Sequence, residues 1–173
     1  MAPTVGETMM RISLDKEGSG TVHAIKRQTA EAINICAQMR DEPQLRGDSG
    51  AQRLISLALT QYEVGALYAV KAATAPPSEP VLMLNSAQGY ELQSGAPATF
   101  GEAKVRVDWN PSGSDWVKRV KGMSAKLINL CKSMETAIIT ICGAEAAEAI
   151  KDANKAYELA AMYAVKAATM SEA

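Results

Sequence analysis

The sequence has few aromatic residues and almost no excess of charge of either sign. Its 173 residues include one Phe, two Trp and five Tyr, and 18 Lys and Arg stand against 19 Asp and Glu. The formal net charge of −1 argues against a basic surface for long DNA or RNA, because counterion release supplies most of the affinity for such polymers. We therefore expect no long nucleic acid among the partners, whereas small anionic ligands remain possible.

Long apolar runs and metal-binding patterns are also missing. No apolar run approaches the roughly 18 residues that span a bilayer, and the N-terminus lacks the basic and then apolar order of a secretion signal. These absences predict a soluble protein that is not exported and has no membrane partner. A single histidine, His23, and the lack of a His and Cys cluster predict no metal site, and we expect His23 on the surface.

The three cysteines, Cys36, Cys131 and Cys142, form no CxxC pair and lie in apolar surroundings. This pattern favours reduced thiols in a cytosol. For Cys36 and Cys131 we favour core packing over a redox pair, because a buried cysteine behaves as a small hydrophobic residue.

The sequence carries none of the common catalytic or cofactor motifs. GxxxxGK[ST], GxGxxG, HExxH and GxSxG are all absent. Two glutamates, Glu63 and Glu158, recur in equivalent places, but a lone helical carboxylate is more often an ion-pair partner than a general base. We expect no enzyme activity, no catalytic residue and no cofactor.

A tandem duplication is the dominant feature of the sequence. A shift of 95 residues aligns 11–74 with 106–169, and 23 of the 64 paired positions are identical. The strongest match pairs YEVGALYAVKAAT at 62–74 with YELAAMYAVKAAT at 157–169. Whatever geometry one copy adopts, the other is expected to adopt too.

Each copy is predicted to form a short strand, a turn and two helices. Apolar and polar residues alternate at 10–14 and 105–109, which predicts half-buried strands. Apolar residues at steps of three and four then predict an amphipathic first helix, and a second helix rich in small residues follows at roughly 50–74 and 145–170. The predicted fold class is mainly α, with two tandem antiparallel helical hairpins, each preceded by a short β-strand, and a small β-containing connector.

The predicted organisation has three parts. The first strand-plus-hairpin repeat occupies 1–76, a connector rich in Pro, Gly and Ser occupies 77–103, and the second repeat occupies 104–173. The connector could carry a short β-hairpin around 81–84 and 90–92. Because a hairpin of about 60 residues cannot cover two apolar faces by itself, we expect the hairpins to pack on one another.

The duplication preserves a set of cations with aromatic residues beside them. Guanidinium and ammonium groups suit phosphate oxygens, and an aromatic face can stack a nucleobase. A structural interpretation is the alternative, in which lysines near the helix ends favour the negative end of the dipole and Trp109 covers a core. The paired candidates are Arg11 and Arg106, Lys26 and Lys121, and Lys71 and Lys166.

The order of motifs in the second copy resembles a known family. R-V-x-[FW]-N-P-S-G, V-x-x-[IV]-K-x-x-[ST]-A-x-L-I-x-L and Y-E-x-A-x-[YW]-A-V-K-A-A-T follow one another at 106–113, 117–130 and 157–169. This order resembles the helical-hairpin domain of the phage anti-CBASS and anti-Thoeris signal sponges, present here twice over nearly the whole chain. The resemblance implies sequestration, without cleavage, of cyclic di- or trinucleotides or cyclic ADP-ribose isomers in the cytoplasm of the infected bacterial host.

The resemblance also implies roles for individual residues. Trp109 matches an aromatic residue that stacks a base, whereas Leu14 stands at that position in the first copy. Lys121 and Lys26 match a lysine that contacts phosphate. The hydroxyl residues that follow these lysines, which also match the family pattern, are Ser124 and Thr29.

An arginine near the start of the second helix matches Arg53, where the second copy has Glu148. A site could therefore combine Trp109 and Lys121 of one copy with Arg53 of the other. Members of the family assemble six hairpins, so a chain with two hairpins is expected to form a homo-oligomer, most simply a trimer.

Two functions of other classes stay open. One is a phage structural or assembly protein that oligomerises through its hairpins and binds no small ligand. The other is a phosphodiesterase-like enzyme that destroys the same signals, which would need a base, a metal or a nucleophile that the sequence does not display.

Overall fold

The protein is mainly helical. The computed structural model describes residues 3–12, 20–77 and 98–170, and helix makes up 84% of them. No strand occurs within these ranges, which confirms the mainly α class. The described helices are α1 (Val5–Met9), α2 (Gly20–Asp41), α3 (Pro43–Arg46), α4 (Ser49–Ala73), α5 (Phe100–Val105) and α6 (Asp115–Met170).

The two predicted strands are wrong. Residues 105–109 contain the end of α5 and a turn, and residues 10–12 form a turn after α1, while 13 and 14 lie outside the described residues. A capping box starts each short helix, because the hydroxyls of Thr4 and Thr99 accept hydrogen bonds from the N–H groups of Glu7 and Glu102. A five-residue alternation was too short a signal to outweigh this helix start.

The structure does not show two separate tandem hairpins either. In the second copy the helical residues of α6 form two arms, 115–142 and 144–170, which are separated by the non-helical Gly143 (φ 79°, ψ −170°) and have no separate short helix such as α3 between them. The chain folds back at this glycine: Lys121 and Glu158 line the same cavity, although an unbroken helix would hold them about 55 Å apart. Because α4 packs most extensively on α6, the two copies share one core.

Reciprocal hydrogen bonds tie the two copies together inside that core. The Tyr62 hydroxyl lies 2.7 Å from the Ser124 hydroxyl, and the Tyr157 hydroxyl lies 3.1 Å from that of Thr29. Each pair joins one copy to the other at positions 95 apart in sequence. The rings of these two equivalent tyrosines lie with their centroids 6.4 Å apart.

The connector hairpin predicted around 81–84 and 90–92 lies outside the described residues.

The expectation that no segment approaches a membrane span was too strong for α6, whose most apolar 18-residue window has a mean hydropathy of 1.3 and is 39% buried. Length and apolarity alone are weak evidence for a membrane, because the core helix of a water-soluble protein meets the same criteria.

Candidate ligand-binding cavities

A cavity of about 440 Å³ opens where α5 and the turn after it meet both arms of α6, the first before Gly143 (115–142) and the second after it (144–170), and we call it the Arg106 cavity. Cationic side chains come from α5, the turn and the first arm of α6, and a carboxylate with an apolar surface comes from the second arm. The lining residues are Lys104, Val105, Arg106, Trp109, Lys121, Glu158, Ala161, Met162 and Val165.

The first copy carries an equivalent cavity of about 520 Å³, the Arg11 cavity. Eight of its lining residues stand 95 positions before a residue that lines the Arg106 cavity. Thr60 and Val64 line it as well, and the counterpart of Trp109, Leu14, lies outside the described residues. The eight equivalent residues are Met9, Met10, Arg11, Lys26, Glu63, Ala66, Leu67 and Val70.

The backbone of both arginines is left-handed, with φ of 49° at Arg11 and at Arg106. L-residues rarely adopt this conformation, so its recurrence at both positions marks a constrained turn. Each arginine follows its short helix and is exposed at the edge of its cavity.

The short helices are held close to the core by glycine and asparagine. The N–H groups of Gly6 and Gly101 donate to the side-chain oxygens of Asn34 and Asn129 at 2.8 and 2.7 Å. A Cβ on Gly101 would lie 2.2 Å from the carbonyl oxygen of Ala125, and one on Gly6 would be equally close to its neighbour. Only glycine allows this approach, which positions each arginine at its cavity.

Lys121 holds the turn between α5 and α6 through hydrogen bonds from its side chain. It is almost fully buried, and its Nζ donates to the carbonyl oxygens of Arg106, at 2.9 Å, and of Trp109. Burial lowers the pKa of Lys121, and the nearby charge of Arg106 lowers it further. The predicted phosphate-contacting lysine is therefore engaged with main-chain carbonyls in this structure.

Trp109 remains available at the surface. Its side chain is 63% exposed, and the Lys121 ammonium lies 5.4 Å from the centroid of its ring. A cation over an indole face holds the ring through cation–π attraction. The outer face of a large exposed indole is suited to stacking on a flat ligand.

Glu158 faces the cations across the Arg106 cavity. Its side chain is 30% exposed, and Oε1 lies 3.3 Å from Nζ of Lys104. The interpretation of Glu158 as an ion-pair partner is confirmed, but its position, like that of Glu63, in a cavity wall was missed. The missed signal was the spacing, since Glu158 stands three, four and seven residues before Ala161, Met162 and Val165 on one helix face.

The structure brings several of the predicted site residues together and leaves others apart. Arg11 and Lys26 line one cavity, and Arg106, Trp109 and Lys121 line the other. Thr29 and Ser124 are instead fully buried and bonded to the core tyrosines, so in this structure they face no cavity. The predicted site residues that line neither cavity are Thr29, Ser124, Arg53, Lys71 and Lys166.

The combined site with Arg53 is not formed within one chain. Arg53 is exposed in the first half of α4, whereas the α4 residues of the Arg11 cavity begin at Thr60. Lys71 makes an exposed ion pair with Glu145 at 2.9 Å, and Lys166 is exposed near the end of α6. The predicted pairing of Trp109 and Lys121 with Arg53 would need a second chain.

The thiols and the histidine lie where expected. Cys36 and Cys131 are buried in the core, and burial raises the pKa of each thiol to about 12. His23 is exposed. Within residues 3–12, 20–77 and 98–170, no three His, Cys, Asp or Glu side chains converge to hold a metal ion.

Comparisons of the chain with models of protein families, with curated proteins and with solved structures found no match.

Proposed function

We propose that this protein binds small cyclic nucleotides that act as bacterial immune signals and sequesters them without cleaving them. The observation that carries the proposal is the pair of equivalent cavities, each with an arginine and a lysine on one side and an apolar helix face on the other. Cyclic di- and trinucleotides and cyclic ADP-ribose isomers all combine phosphates with flat bases. The family resemblance of the sequence supports the same assignment.

The chemistry of the Arg106 cavity fits such a ligand. Three cations, Lys104, Arg106 and Lys121, surround it against one carboxylate, so its local charge favours an anion. Its volume of about 440 Å³ falls within the range of about 300–1,000 Å³ that small-molecule sites occupy. Trp109 offers a stacking face and Arg106 offers paired N–H donors to a phosphate.

Sequestration works by mass action. A protein that binds a signal more tightly than the immune effector does, in at least comparable amount, lowers the free signal without any turnover. The sequence offers no recognised nucleophile, base or metal motif for cleavage, which favours binding alone. We place this activity in the cytoplasm of an infected bacterium.

The proposal includes the finer fold and the assembly. We treat each copy as a helical hairpin and the chain as two hairpins fused in tandem, with three chains forming a trimer. Two exposed apolar side chains at equivalent positions, Leu67 (71% exposed) and Met162 (67%), provide surfaces for contacts between chains, and because each also lines a cavity, we place the contacts between chains beside the ligand sites.

These same residues favour a second candidate function. A phage structural or assembly protein would use exposed apolar side chains for oligomerisation alone and would bind no nucleotide. The two functions differ in whether the purified protein carries a small molecule.

Mass spectrometry of small molecules released by heat distinguishes the candidates. The protein is purified from bacteria with an active CBASS or Thoeris system and then heated. Release of an intact cyclic nucleotide supports sequestration, a linearised product indicates an enzyme, and no release indicates a structural protein.

Substitution of the two arginines then tests the cavities. Arg11→Ala combined with Arg106→Ala should reduce the amount released by at least tenfold, because both cavities lose their guanidinium group. Arg46→Ala, which removes an exposed arginine outside both cavities, is the matched control. Equal release from all three proteins would place the ligand elsewhere.

A further inference from the structure

We infer that Glu158 and Glu63 select guanine as the base of the bound nucleotide, an inference that rests on the proposed function. Both carboxylates line a cavity whose other charged groups are cations, at positions 95 apart in the sequence. A carboxylate weakens the attraction of such a cavity for phosphate. Its presence in both cavities therefore calls for a role other than anion binding.

Among the residues that the structure describes, ion pairing does not provide a role that the two copies share. Glu158 pairs with Lys104 in the second copy, but the equivalent of Lys104 in the first copy is Met9. The first copy therefore keeps its glutamate, Glu63, although it has Met9 where the second copy has the lysine that pairs with Glu158. What the two glutamates do share is their place in the wall of the cavity.

That place puts a carboxylate beside a surface suited to a flat ring. Glu158 is followed on the same helix face by Ala161 and Val165, and Glu63 by Ala66 and Val70, so a small side chain and a β-branched one extend from each carboxylate. A base that lies against this surface presents its edge toward the glutamate.

The chemistry of a carboxylate distinguishes the two purines. An ionised glutamate only accepts hydrogen bonds, and its two oxygens match the adjacent N1–H and N2–H donors of guanine. Adenine presents the acceptor N1 next to its amino group, and that lone pair repels the carboxylate. Sites built around a polar partner strongly reject an analogue that lacks it.

Calorimetric titration of the full chain with cyclic di-GMP and cyclic di-AMP tests the inference. The parent protein should bind cyclic di-GMP at least tenfold more tightly than cyclic di-AMP. Glu63→Gln combined with Glu158→Gln should weaken cyclic di-GMP binding at least tenfold and leave cyclic di-AMP binding unchanged or tighter, because the negative charge that opposes phosphate and adenine N1 is removed. Glu148→Gln, the same change at an exposed position outside both cavities, should leave both affinities unchanged.

Two results would overturn the inference while leaving sequestration intact. One is equal affinity of the parent protein for the two dinucleotides. The other is a double variant whose affinity for both changes by the same factor, which would mean that the glutamates act only through their charge. The selectivity of the parent protein decides the matter even if the double variant does not fold.

Binding of neither dinucleotide by the parent also overturns the inference. The heat-release experiment then shows whether the proposed function falls with it. Release of a cyclic trinucleotide or a cyclic ADP-ribose isomer would preserve sequestration, whereas the absence of any released nucleotide would not.

Discussion

Lys121 is almost fully buried, and its ammonium group donates to two carbonyls of the turn that carries Trp109. A neutral apolar side chain at this position has no N–H donor, so both carbonyls would lose their charged hydrogen-bond partner. Lys121 therefore acts as a positioning residue for Arg106 and Trp109, whatever the ligand is.

Replacement of this lysine should lower stability. We expect Lys121→Met to reduce the free energy of unfolding by about 1.5–3 kcal/mol, the usual value of hydrogen bonds to a charged group. Urea unfolding measures the change. Lys118→Met, at an exposed position on the same helix, should stay within about 0.5 kcal/mol of the parent, and equal stability of the two variants would contradict the role given to Lys121.

The thiols should differ in reactivity. With a pKa of about 12, Cys36 and Cys131 are about one part in ten thousand thiolate at pH 8, and they are also buried. Cys142 is partly exposed. An aromatic disulfide reagent at pH 8 should therefore modify at most one thiol in the native protein and all three in denaturant, whereas rapid reaction of two or more native thiols would contradict the packing of the core.

At the scale of elements, α5 can lie close to α6 because residue 101 is a glycine and has no Cβ. We expect Gly101→Ala to lower the free energy of unfolding by about 1–3 kcal/mol, because a Cβ there would meet the carbonyl of Ala125 at 2.2 Å. Gly122→Ala is the matched control, since a Cβ on that helical glycine meets nothing within 4 Å. The control should be unchanged or up to about 1 kcal/mol more stable, and thermal unfolding compares the two.

Sequence periodicity predicted the long helices better than it predicted what precedes them. Apolar residues at three- and four-residue steps indicated α2 and α4, and a helix needs many such steps to bury its face. The strand predictions were wrong because the duplication continues on the N-terminal side of Arg11 and Arg106, where helix-start signals lie. The same T-x-G-E pattern stands at 4–7 and 99–102, and it predicts a capped helix at both places.

The sequence predicted several of the cations that line the two cavities, but it did not predict the helix faces that form the opposite side. Arg11, Arg106, Lys26 and Lys121 could be found because the duplication preserves these cations, whereas Lys104, whose counterpart is Met9, was missed. Thr29 and Ser124 were misplaced because their partners, two tyrosines, come from the other copy. Periodicity shows which residues share a helix face, but it does not show which element covers that face.

At the scale of the whole molecule, two highly exposed apolar side chains occupy equivalent positions in the two copies. Leu67 and Met162 are the most exposed large hydrophobic residues among those the structure describes. If they form contacts between chains, Leu67→Glu combined with Met162→Glu should convert the expected trimer into monomers, because a buried unpaired carboxylate is costly. Light scattering measures the mass, and Gln44→Glu, at an exposed polar position, should leave it unchanged.

A parent protein that is monomeric at micromolar concentration would contradict the predicted trimer directly. A double variant with the mass of the parent would instead place the contacts between chains on another surface.

The reciprocal tyrosine bonds have a consequence for the protein as it leaves the ribosome. Tyr157, which bonds the Thr29 hydroxyl, is 128 residues further along the chain. Synthesis of these residues takes roughly 6–26 s at usual rates. During that time the first copy is present without the residues that complete its core. Two chains growing on one messenger RNA can form these same bonds between them when the first copy of each packs on the second copy of the other, so intertwined dimers are the expected by-product of rapid synthesis.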